Sequence, residues 1–206
     1  MAIKYPRTFH LPWSSGKTND DKVMKSTNCF HNKQVIVTLK MDGENTTLYS
    51  DGIHARSLDY SYHESRSWIQ NKHAEIAHLI PNQMRICGEN LFAKHSIFYE
   101  DLDSYFMVFS VWKEQTCLSW VETKKIVEHL GLITVPVLYE GIYNENLIKK
   151  IFNKYSKEHE GYVIRLADEF LYEDFSISCG KNVRKNHVQT SEHWKNQKIF
   201  KNKLKT

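Results

Sequence analysis

Cysteine is scarce in this sequence, and long apolar runs are missing altogether. The four cysteines among 206 residues are scattered and form no C-x-x-C pair, so neither a disulfide scaffold nor a zinc site is supported; they are Cys29, Cys87, Cys117 and Cys179. No run of about 18 apolar residues occurs, and the N-terminus lacks the apolar region of a signal peptide. We therefore expect a cytoplasmic protein without a transmembrane helix or a membrane partner.

Internal repeats and low-complexity linkers are also absent. The length of 206 residues fits one domain, and the hydrophobic content of 41% is enough for a sizeable core. We expect a single domain over residues 1–206, and a monomer.

Positive charge is concentrated at the C-terminal end. Residues 181–206 hold eight lysines and arginines and one acid, Glu192, so this segment carries +7 while residues 1–180 carry −3. We treat residues 186–206 as a basic extension within the domain. Such a stretch is typical either of a polyanion-binding surface or of a solvated tail, and charge alone leaves both open.

The apolar patterns predict an α+β fold with largely antiparallel sheets. Residues 1–34 are predicted as loop. Alternating and β-rich segments predict strands at 34–40, 46–50, 53–57, 84–92, 105–112, 135–141, 160–166 and 175–185. Helical spacing predicts helices at 64–80, 119–131 and 144–159.

Local signals mark several boundaries. Asp51-Gly52 is typical of a hairpin turn, and Pro81 is expected to end the first helix. An S-x-x-E capping box and a following glycine bound the second helix. The third helix is predicted to bury one stripe, made of Leu147, Ile148, Ile151, Phe152 and Tyr155.

The segment Lys40-Met41-Asp42-Gly43 has the form K-x-D-G and follows an apolar strand. A lysine attacks phosphorus only as the neutral amine, so its pKa must fall well below about 10.4. Burial and nearby cations lower that pKa, whereas the carboxylate of Asp42 alone would raise it. Gly43 permits a close approach that a Cβ would hinder. The pattern by itself is weak, because a lysine at a strand end is usually a solvated charge.

Five further segments follow in order and strengthen the interpretation: "HARS", "CGENLFAKHSIFY", "FMVFSVW", "HEGYVIR" and "GKNVRKNHV". With K-x-D-G they resemble the motifs of the covalent nucleotidyltransferases, which include ATP-dependent polynucleotide ligases and mRNA capping enzymes. The closer resemblance is to the RNA ligase family, in particular a compact bacterial and phage group, through "KYPRTFHLPWS", "LSW" and "VRKNHVQTSEHW". It covers nearly the whole chain.

The resemblance implies an antiparallel-sheet nucleotidyltransferase (adenylation) domain of the ATP-grasp-like ligase type, without an OB-fold. It implies an ATP-dependent RNA ligase that joins 5′-phosphate and 3′-OH ends of RNA through lysyl-AMP and RNA-adenylate, with ATP as substrate and Mg²⁺ or Mn²⁺ as cofactor. Lys40 would be the nucleophile. Phe109 would stack on adenine, and Glu89 and Glu160 would hold the metal, with Glu89 also near the ribose.

The implied nucleotide site comprises Lys40, Asp42, Gly43, Asn45, Arg56, Glu89, Phe109, Glu160, Lys181, Arg184 and Lys185. The implied RNA contacts are His95 and the lysines of the basic extension, Lys195, Lys198, Lys201, Lys203 and Lys205. Lys181 would neutralise the pyrophosphate leaving group, and Arg56 would contact phosphate or substrate.

Each of these residues has a structural alternative. Glu89 alternates with Arg85 on the same strand face and would pair with it, and Phe109 would belong to the core. Glu160 would cap the preceding helix, and His95 would be a hydrogen-bonded structural histidine. Arg56 would be a surface charge, and Lys181 would belong only to the basic tail.

Two departures from the family pattern concern the nucleotide. Leu39 stands where RNA ligases often carry a glutamate that accepts from the adenine amine, so Thr38 or a backbone carbonyl would have to replace that contact. The last motif is commonly K-x-K, whereas here the run is Lys181-Asn182-Val183-Arg184-Lys185. Rival functions are a DNA ligase or guanylyltransferase, for which an OB-fold is expected, and a catalytically silent nucleic-acid-binding homologue.

Overall fold

The computed structural model describes residues 2–58, 61, 63–185 and 199–206. The strands, numbered in chain order, are β1 (Phe9–His10), β2 (Gln34–Lys40), β3 (Glu44–Tyr49), β4 (Gly52–Ala55), β5 (Met84–Asn90), β6 (Phe106–Lys113), β7 (Thr116–Cys117), β8 (Ile133–Thr134), β9 (Val137–Ile142), β10 (Gly161–Leu166), β11 (Phe170–Leu171) and β12 (Cys179–Val183). The α-helices are α1 (Ser67–Ile76), α2 (Trp120–His129), α3 (Glu145–Asn153) and α4 (Phe175–Ser178).

The strands form two sheets. The first has the order β1-β12-β10-β2-β9, and the second has the order β11-β7-β6-β5-β3-β4, with β8 attached to β6. All pairings are antiparallel except β1 with β12 and β6 with β8. The predicted α+β class with largely antiparallel sheets is therefore confirmed.

The core lies on both faces of β2, which runs between β10 and β9. Val35, Ile36, Val37 and Leu39 are each at most 5% exposed, so the strand has no solvated side before Lys40. Removing such β-branched and aliphatic side chains from water is the main favourable term in folding. The rigid strand consequently fixes where Lys40 emerges.

The helix boundaries follow the predicted caps. The Ser119 hydroxyl accepts from the Glu122 amide and donates to the Glu122 carboxylate, and Gly131 has a φ of +60°, as the capping box and terminal glycine predicted. The predicted stripe of α3 is only partly correct. Ile148 and Phe152 are buried, but Leu147 and Tyr155 are exposed, because Leu147 lies beside the buried face and α3 ends before Tyr155.

Two predicted segments are wrong in detail. Residues 175–185 do not form one strand, since Phe175–Ser178 is a helical turn that buries Phe175 against the Trp112 ring, with 6.1 Å between ring centres. Residues 1–34 are not all loop, because Phe9–His10 pairs in parallel with Gly180–Lys181 at an open sheet edge. None of the helices in the described ranges is long and apolar enough to cross a membrane.

A buried ion pair joins β3 to the segment before α1. Arg66 donates to both carboxylate oxygens of Glu44 at 2.7 Å and to the Ser61 carbonyl at 2.8 Å. Both side chains are less than a tenth exposed. Glu44 directly follows Gly43, so this pair fixes the end of the K-x-D-G loop.

Candidate active site

A cavity of about 360 Å³ is lined by strands of both sheets. Of the residues predicted for the nucleotide site, seven line it: Lys40, Gly43, Asn45, Arg56, Glu89, Phe109 and Lys181. The other four, Asp42, Glu160, Arg184 and Lys185, are not among the described residues of its wall. The tertiary structure thus brings together residues that are up to 141 positions apart in the sequence.

Lys40 lies at the end of β2, and its Nζ donates to Glu160 Oε2 at 2.7 Å. Burial by itself lowers the pKa of Lys40, but Glu160, Glu89 and Asp42 outweigh it and raise the pKa above its usual value. In the ligand-free protein Lys40 is therefore a buried ammonium group paired with Glu160. The structural alternative for Glu160, a cap on the preceding helix, leaves this contact unexplained.

The backbone after Lys40 turns sharply under β5. A Cβ on Gly43 would collide with the backbone carbonyl of Asn90, so only glycine fits this position. The Gly43 amide also donates to Glu89 Oε1 at 3.1 Å. Glycine thus allows the loop to approach Glu89.

Asp42 contacts the backbone rather than the cavity. Its Oδ2 accepts from the amides of Ser96 and Ile97 at 2.7 and 2.8 Å, and its own amide donates to the Tyr99 hydroxyl at 2.9 Å. In this arrangement Asp42 anchors the loop that carries Lys40.

Glu89 lies opposite Asn45 across β3 and β5. Burial raises the pKa of Glu89 to about 8, with help from Glu160, and Lys40 offsets only part of this shift. Asn45 Oδ1 is buried and has no hydrogen-bond partner among the described residues, so it is available to accept from a ligand hydroxyl.

The pairing of Glu89 with Arg85 is not formed. Arg85 donates to the Glu114 carbonyl at 2.6 Å and lies over the Trp112 ring, 4.6 Å from its centre. Glu89 consequently lines the cavity together with Lys40.

Part of the cavity wall is apolar. Phe109 is in edge contact with Tyr5, with 5.1 Å between ring centres, and Val163 and Phe175 line the same cavity. Such walls suit a flat aromatic base. Tyr5 was not identified from the sequence, although it lies within the quoted segment "KYPRTFHLPWS".

Arg165 also lines the cavity and was given no role from the sequence. It is 5% exposed and donates to the carbonyls of Leu118 and Leu166, at 2.6 and 3.0 Å. Its Nη1 has no hydrogen-bond partner in the part of the chain that the structure describes. The sequence feature that could have identified Arg165 is its spacing: it follows Val163 by two residues and therefore lies on the same face of the strand.

The cavity wall also carries cations. Lys181, on β12, has its pKa lowered by burial and then by the charge of Lys40. Arg56 donates weakly to the Tyr5 carbonyl at 3.4 Å, and Arg7 lies beside Asp21 at 3.3 Å. Cations of this kind suit phosphate groups. Arg7 and Asp21 were not identified from the sequence.

The remaining predicted residues lie elsewhere. Arg184 donates to the His159 carbonyl at 2.9 Å, and the Lys185 amide donates to Ser15. His95 belongs to the segment whose neighbouring amides hold Asp42. Lys195 and Lys198 lie outside the described residues, whereas Lys203 and Lys205 lie 3.8 and 2.8 Å from Glu100 and Asp103.

The donor set for a cation is limited. Among the described residues no group of three or more His, Cys, Asp or Glu side chains is arranged to hold a metal ion. Glu160 and Glu89 nevertheless both approach Lys40. Two carboxylates beside a phosphate site match the way Mg²⁺ is usually bound, through one or two carboxylates, water and substrate phosphates.

The sequence model of the RNA ligase family matches residues 33–186 of this chain. A search of curated proteins found no match to the chain. Among solved structures, a putative ATP-dependent DNA ligase from Aquifex aeolicus superposes with a TM-score of 0.57 and 19% identity, over 89% of this chain and 50% of that one. A mutant RNA ligase of Naegleria gruberi with ATP and Mn superposes with a TM-score of 0.56 and 17% identity, over 88% of this chain and 58% of that one.

An archaeal ATP-dependent RNA ligase gives a TM-score of 0.61 and 15% identity, over 88% of this chain and 48% of that one. At these identities the likeness concerns the fold. The chain spans about half the length of the structures it matches.

Proposed function

We propose, from the premise that this chain belongs to the RNA ligase family, that it acts as an ATP-dependent RNA ligase. In this reaction it would join a 5′-phosphate to a 3′-OH. The observation that carries this proposal is the position of Lys40. Lys40 lines a cavity whose wall also carries the aromatic ring of Phe109 and the cation Lys181. A nucleotide that stacks its base on Phe109 and presents its phosphates to Lys181 would lie beside Lys40.

In the first step the neutral Nζ of Lys40 attacks the α-phosphorus of ATP. The N–P bond forms, the bond to the bridging oxygen breaks, and pyrophosphate leaves with that electron pair. The Nζ must first lose the proton that Glu160 and Glu89 stabilise. Glu89, with a pKa of about 8, is well placed to exchange protons near neutral pH.

Glu160 and Glu89 would hold Mg²⁺ or Mn²⁺ together with substrate phosphates. When bound there, such an ion neutralises carboxylate charge beside Lys40 and favours the neutral amine. Lys181 and Arg56 would bind the phosphates and neutralise the pyrophosphate. Asn45 would accept from the ribose, and Phe109 would stack on the base.

In the next steps AMP passes from Lys40 to the RNA 5′-phosphate, and the RNA 3′-OH then displaces AMP to form the phosphodiester bond. Holding the two ends in line contributes most of such a transfer. We propose a single nucleotidyltransferase domain that acts as a monomer in the cytoplasm, in RNA repair. Arg184, Lys185, His95 and the lysines of the extension remain proposed contacts to nucleotide or RNA.

Base selection needs its own explanation, because Leu39 packs in the core and presents no carboxylate. The free N–H of Arg165 provides a different contact. It would donate to a ring nitrogen of the purine, while Thr38 on the cavity wall offers a hydroxyl. We propose that Arg165 replaces the missing glutamate in orienting the base.

The decisive experiment is incubation of the protein with α-labelled ATP and Mg²⁺, followed by denaturing electrophoresis. Label on the protein supports lysyl-AMP formation, and preference for ATP over GTP excludes a guanylyltransferase. The likeness to a DNA ligase makes DNA sealing the second candidate. Matched nicked duplexes with RNA or DNA at the 3′-OH end separate the two, since faster sealing of the DNA end would favour the DNA ligase.

A further inference from the structure

The C-terminal segment 199–206 is held against the body of the protein by backbone hydrogen bonds. The Lys94 amide donates to the Phe200 carbonyl at 2.7 Å, and the Lys203 amide donates to the Tyr99 carbonyl at 2.9 Å. The Leu102 amide donates to Lys203, and the Lys205 amide donates to Leu102. The segment therefore lies along residues 91–105 in a defined alignment, and we call it the strap.

Asn202 is the buried centre of the strap, with 1% of its surface exposed. Its amide and Nδ2 donate to the carbonyls of Phe92 and Leu91, at 3.1 and 2.8 Å. Its Oδ1 accepts from the Tyr99 amide, and its carbonyl accepts from the Tyr105 hydroxyl, both at 2.9 Å. Four hydrogen bonds to a neighbouring segment exceed what a surface tail requires.

The segment that Asn202 holds is the one that holds Asp42. The Tyr99 amide donates to Asn202 Oδ1 and the Tyr99 carbonyl accepts from the Lys203 amide, while the Tyr99 hydroxyl accepts from the Asp42 amide. The amides of Ser96 and Ile97 bind the Asp42 carboxylate. A continuous set of hydrogen bonds thus runs from Asn202 through residues 91–105 to the K-x-D-G loop.

The lysine charges contribute little to this docking. Lys203 and Lys205 form exposed ion pairs with Glu100 and Asp103, and Lys201 lies 5.0 Å from the centre of the Phe92 ring. Exposed pairs of this kind contribute little, because water and salt screen the charges. The strap is therefore held by its backbone and by Asn202.

We propose that the strap completes the active site, with Asn202 as a positioning residue for the Lys40–Gly43 loop. Asn202 fixes residues 91–105, these residues fix Asp42, and Asp42 fixes the direction in which Lys40 meets the nucleotide. The part of the test that measures lysyl-AMP formation rests on the proposed function. Displacement of about 1 Å at a reacting group can lower a rate by about 100-fold.

Three proteins test the proposal: Asn202→Ala, a chain truncated after residue 198, and the control Asn153→Ala. Asn153 is an exposed asparagine at the end of α3. We expect Asn202→Ala and the truncated chain to form lysyl-AMP at least about tenfold more slowly at saturating ATP, with KM for ATP within about twofold. The control should match the wild type in this step.

Amide hydrogen exchange provides a readout that does not depend on the activity. In Asn202→Ala the amides of Ser96 and Ile97 should exchange faster, while those of β5 and β6 should not change. Equal acceleration in β5 and β6 would make Asn202 a residue of general stability and would overturn the proposal. Unchanged exchange together with unchanged lysyl-AMP formation would overturn it as well.

A double-mutant cycle with Tyr99→Phe tests the route through Tyr99. This change removes the hydroxyl that accepts from Asp42 and leaves the Tyr99 amide in place. If the strap acts through Tyr99, the losses in the rate of lysyl-AMP formation caused by Asn202→Ala and Tyr99→Phe should be less than additive in the double variant. Strict additivity would refute the route. If Asn202→Ala does not fold, Asn202→Ser replaces it. If wild-type protein forms no lysyl-AMP but exchange changes as expected, the proposed function fails and the strap stands.

Discussion

Lys40 and Glu160 are joined by a hydrogen bond of 2.7 Å, although 120 residues separate them in the sequence. The contact follows from the pairing of β2 with β10, which places Gly161 directly opposite Lys40. Glu160 therefore arrives beside Lys40 by strand alignment. The resulting ammonium group must lose its proton before it can act as a nucleophile.

Replacing Lys40 should separate charge from nucleophilicity. Lys40→Ala and Lys40→Arg should both reduce labelling by α-labelled ATP to background, because arginine keeps the positive charge but offers no usable amine. Labelling is read on denaturing gels, and circular dichroism checks the fold. Lys22→Arg, at an exposed position, serves as the matched control. Undiminished label on either Lys40 variant would contradict the assignment.

Neutralising Glu160 should slow lysyl-AMP formation. Glu160→Gln keeps the shape but loses the charge that pairs with Lys40 and binds a cation, and we expect a loss of about 100- to 1,000-fold. The measurement is single-turnover labelling across a Mg²⁺ titration. Glu158→Gln, an exposed neighbour, is the control. A normal rate with a normal Mg²⁺ dependence would show that Glu160 has only a structural role.

Glu89 should make the stability of the ligand-free protein fall with rising pH. Burial holds its pKa at about 8 in the folded chain, above the ordinary value of 4.5. The folded chain therefore binds more protons than the unfolded chain between these values, and the contribution of Glu89 is present below pH 4.5 and lost as pH rises through 8.

Glu89→Gln removes this titration. Its unfolding free energy, measured in urea at several pH values between 5 and 8.5, should decline less steeply than that of the wild type, by at most about 1.4 kcal/mol per pH unit. Identical slopes for the two proteins would mean that Glu89 titrates normally in the fold.

Arg165 should reveal its contact through nucleotide analogues. ATP analogues that each lack one purine ring nitrogen are compared in lysyl-AMP formation, with wild type and Arg165→Met. One analogue should lose about tenfold in kcat/KM with wild type, as expected for a hydrogen bond to a charged donor. That loss should disappear in Arg165→Met. If no analogue behaves in this way, Arg165 does not contact the base.

The buried pair of Arg66 and Glu44 should be essential for stability. Arg66→Met leaves the Glu44 carboxylate buried without this partner, and we expect a loss of about 3–5 kcal/mol in unfolding free energy. Lys72→Met, which breaks an exposed pair with Glu75, should cost less than about 1 kcal/mol. Adding Glu44→Gln to Arg66→Met should recover part of the loss. Similar values for the two single variants would contradict the buried character of the pair.

Elements specified by neighbouring residues were predictable from the sequence. The capping box at Ser119 and the hairpin between β3 and β4 depend on contacts within a few residues. The capping box formed as predicted, and the hairpin formed with its turn at Ser50-Asp51, one residue before the predicted Asp51-Gly52. The strand before Lys40 was predictable for the same reason, since an apolar alternation over seven residues suits a strand. The family resemblance likewise depended on motifs read in order along the chain.

What depends on distant parts of the chain was decided only by the tertiary structure. Phe175–Ser178 has the composition of a strand but forms a helical turn, because Phe175 packs against Trp112. The free N–H of Arg165 and the burial of Asn202 likewise depend on partners far away in the sequence. Periodicity records which side of an element is apolar, whereas strand pairing and packing determine what lies opposite. The sequence by itself therefore determined most of the elements and the candidate lysine, and the fold decided which groups surround that lysine.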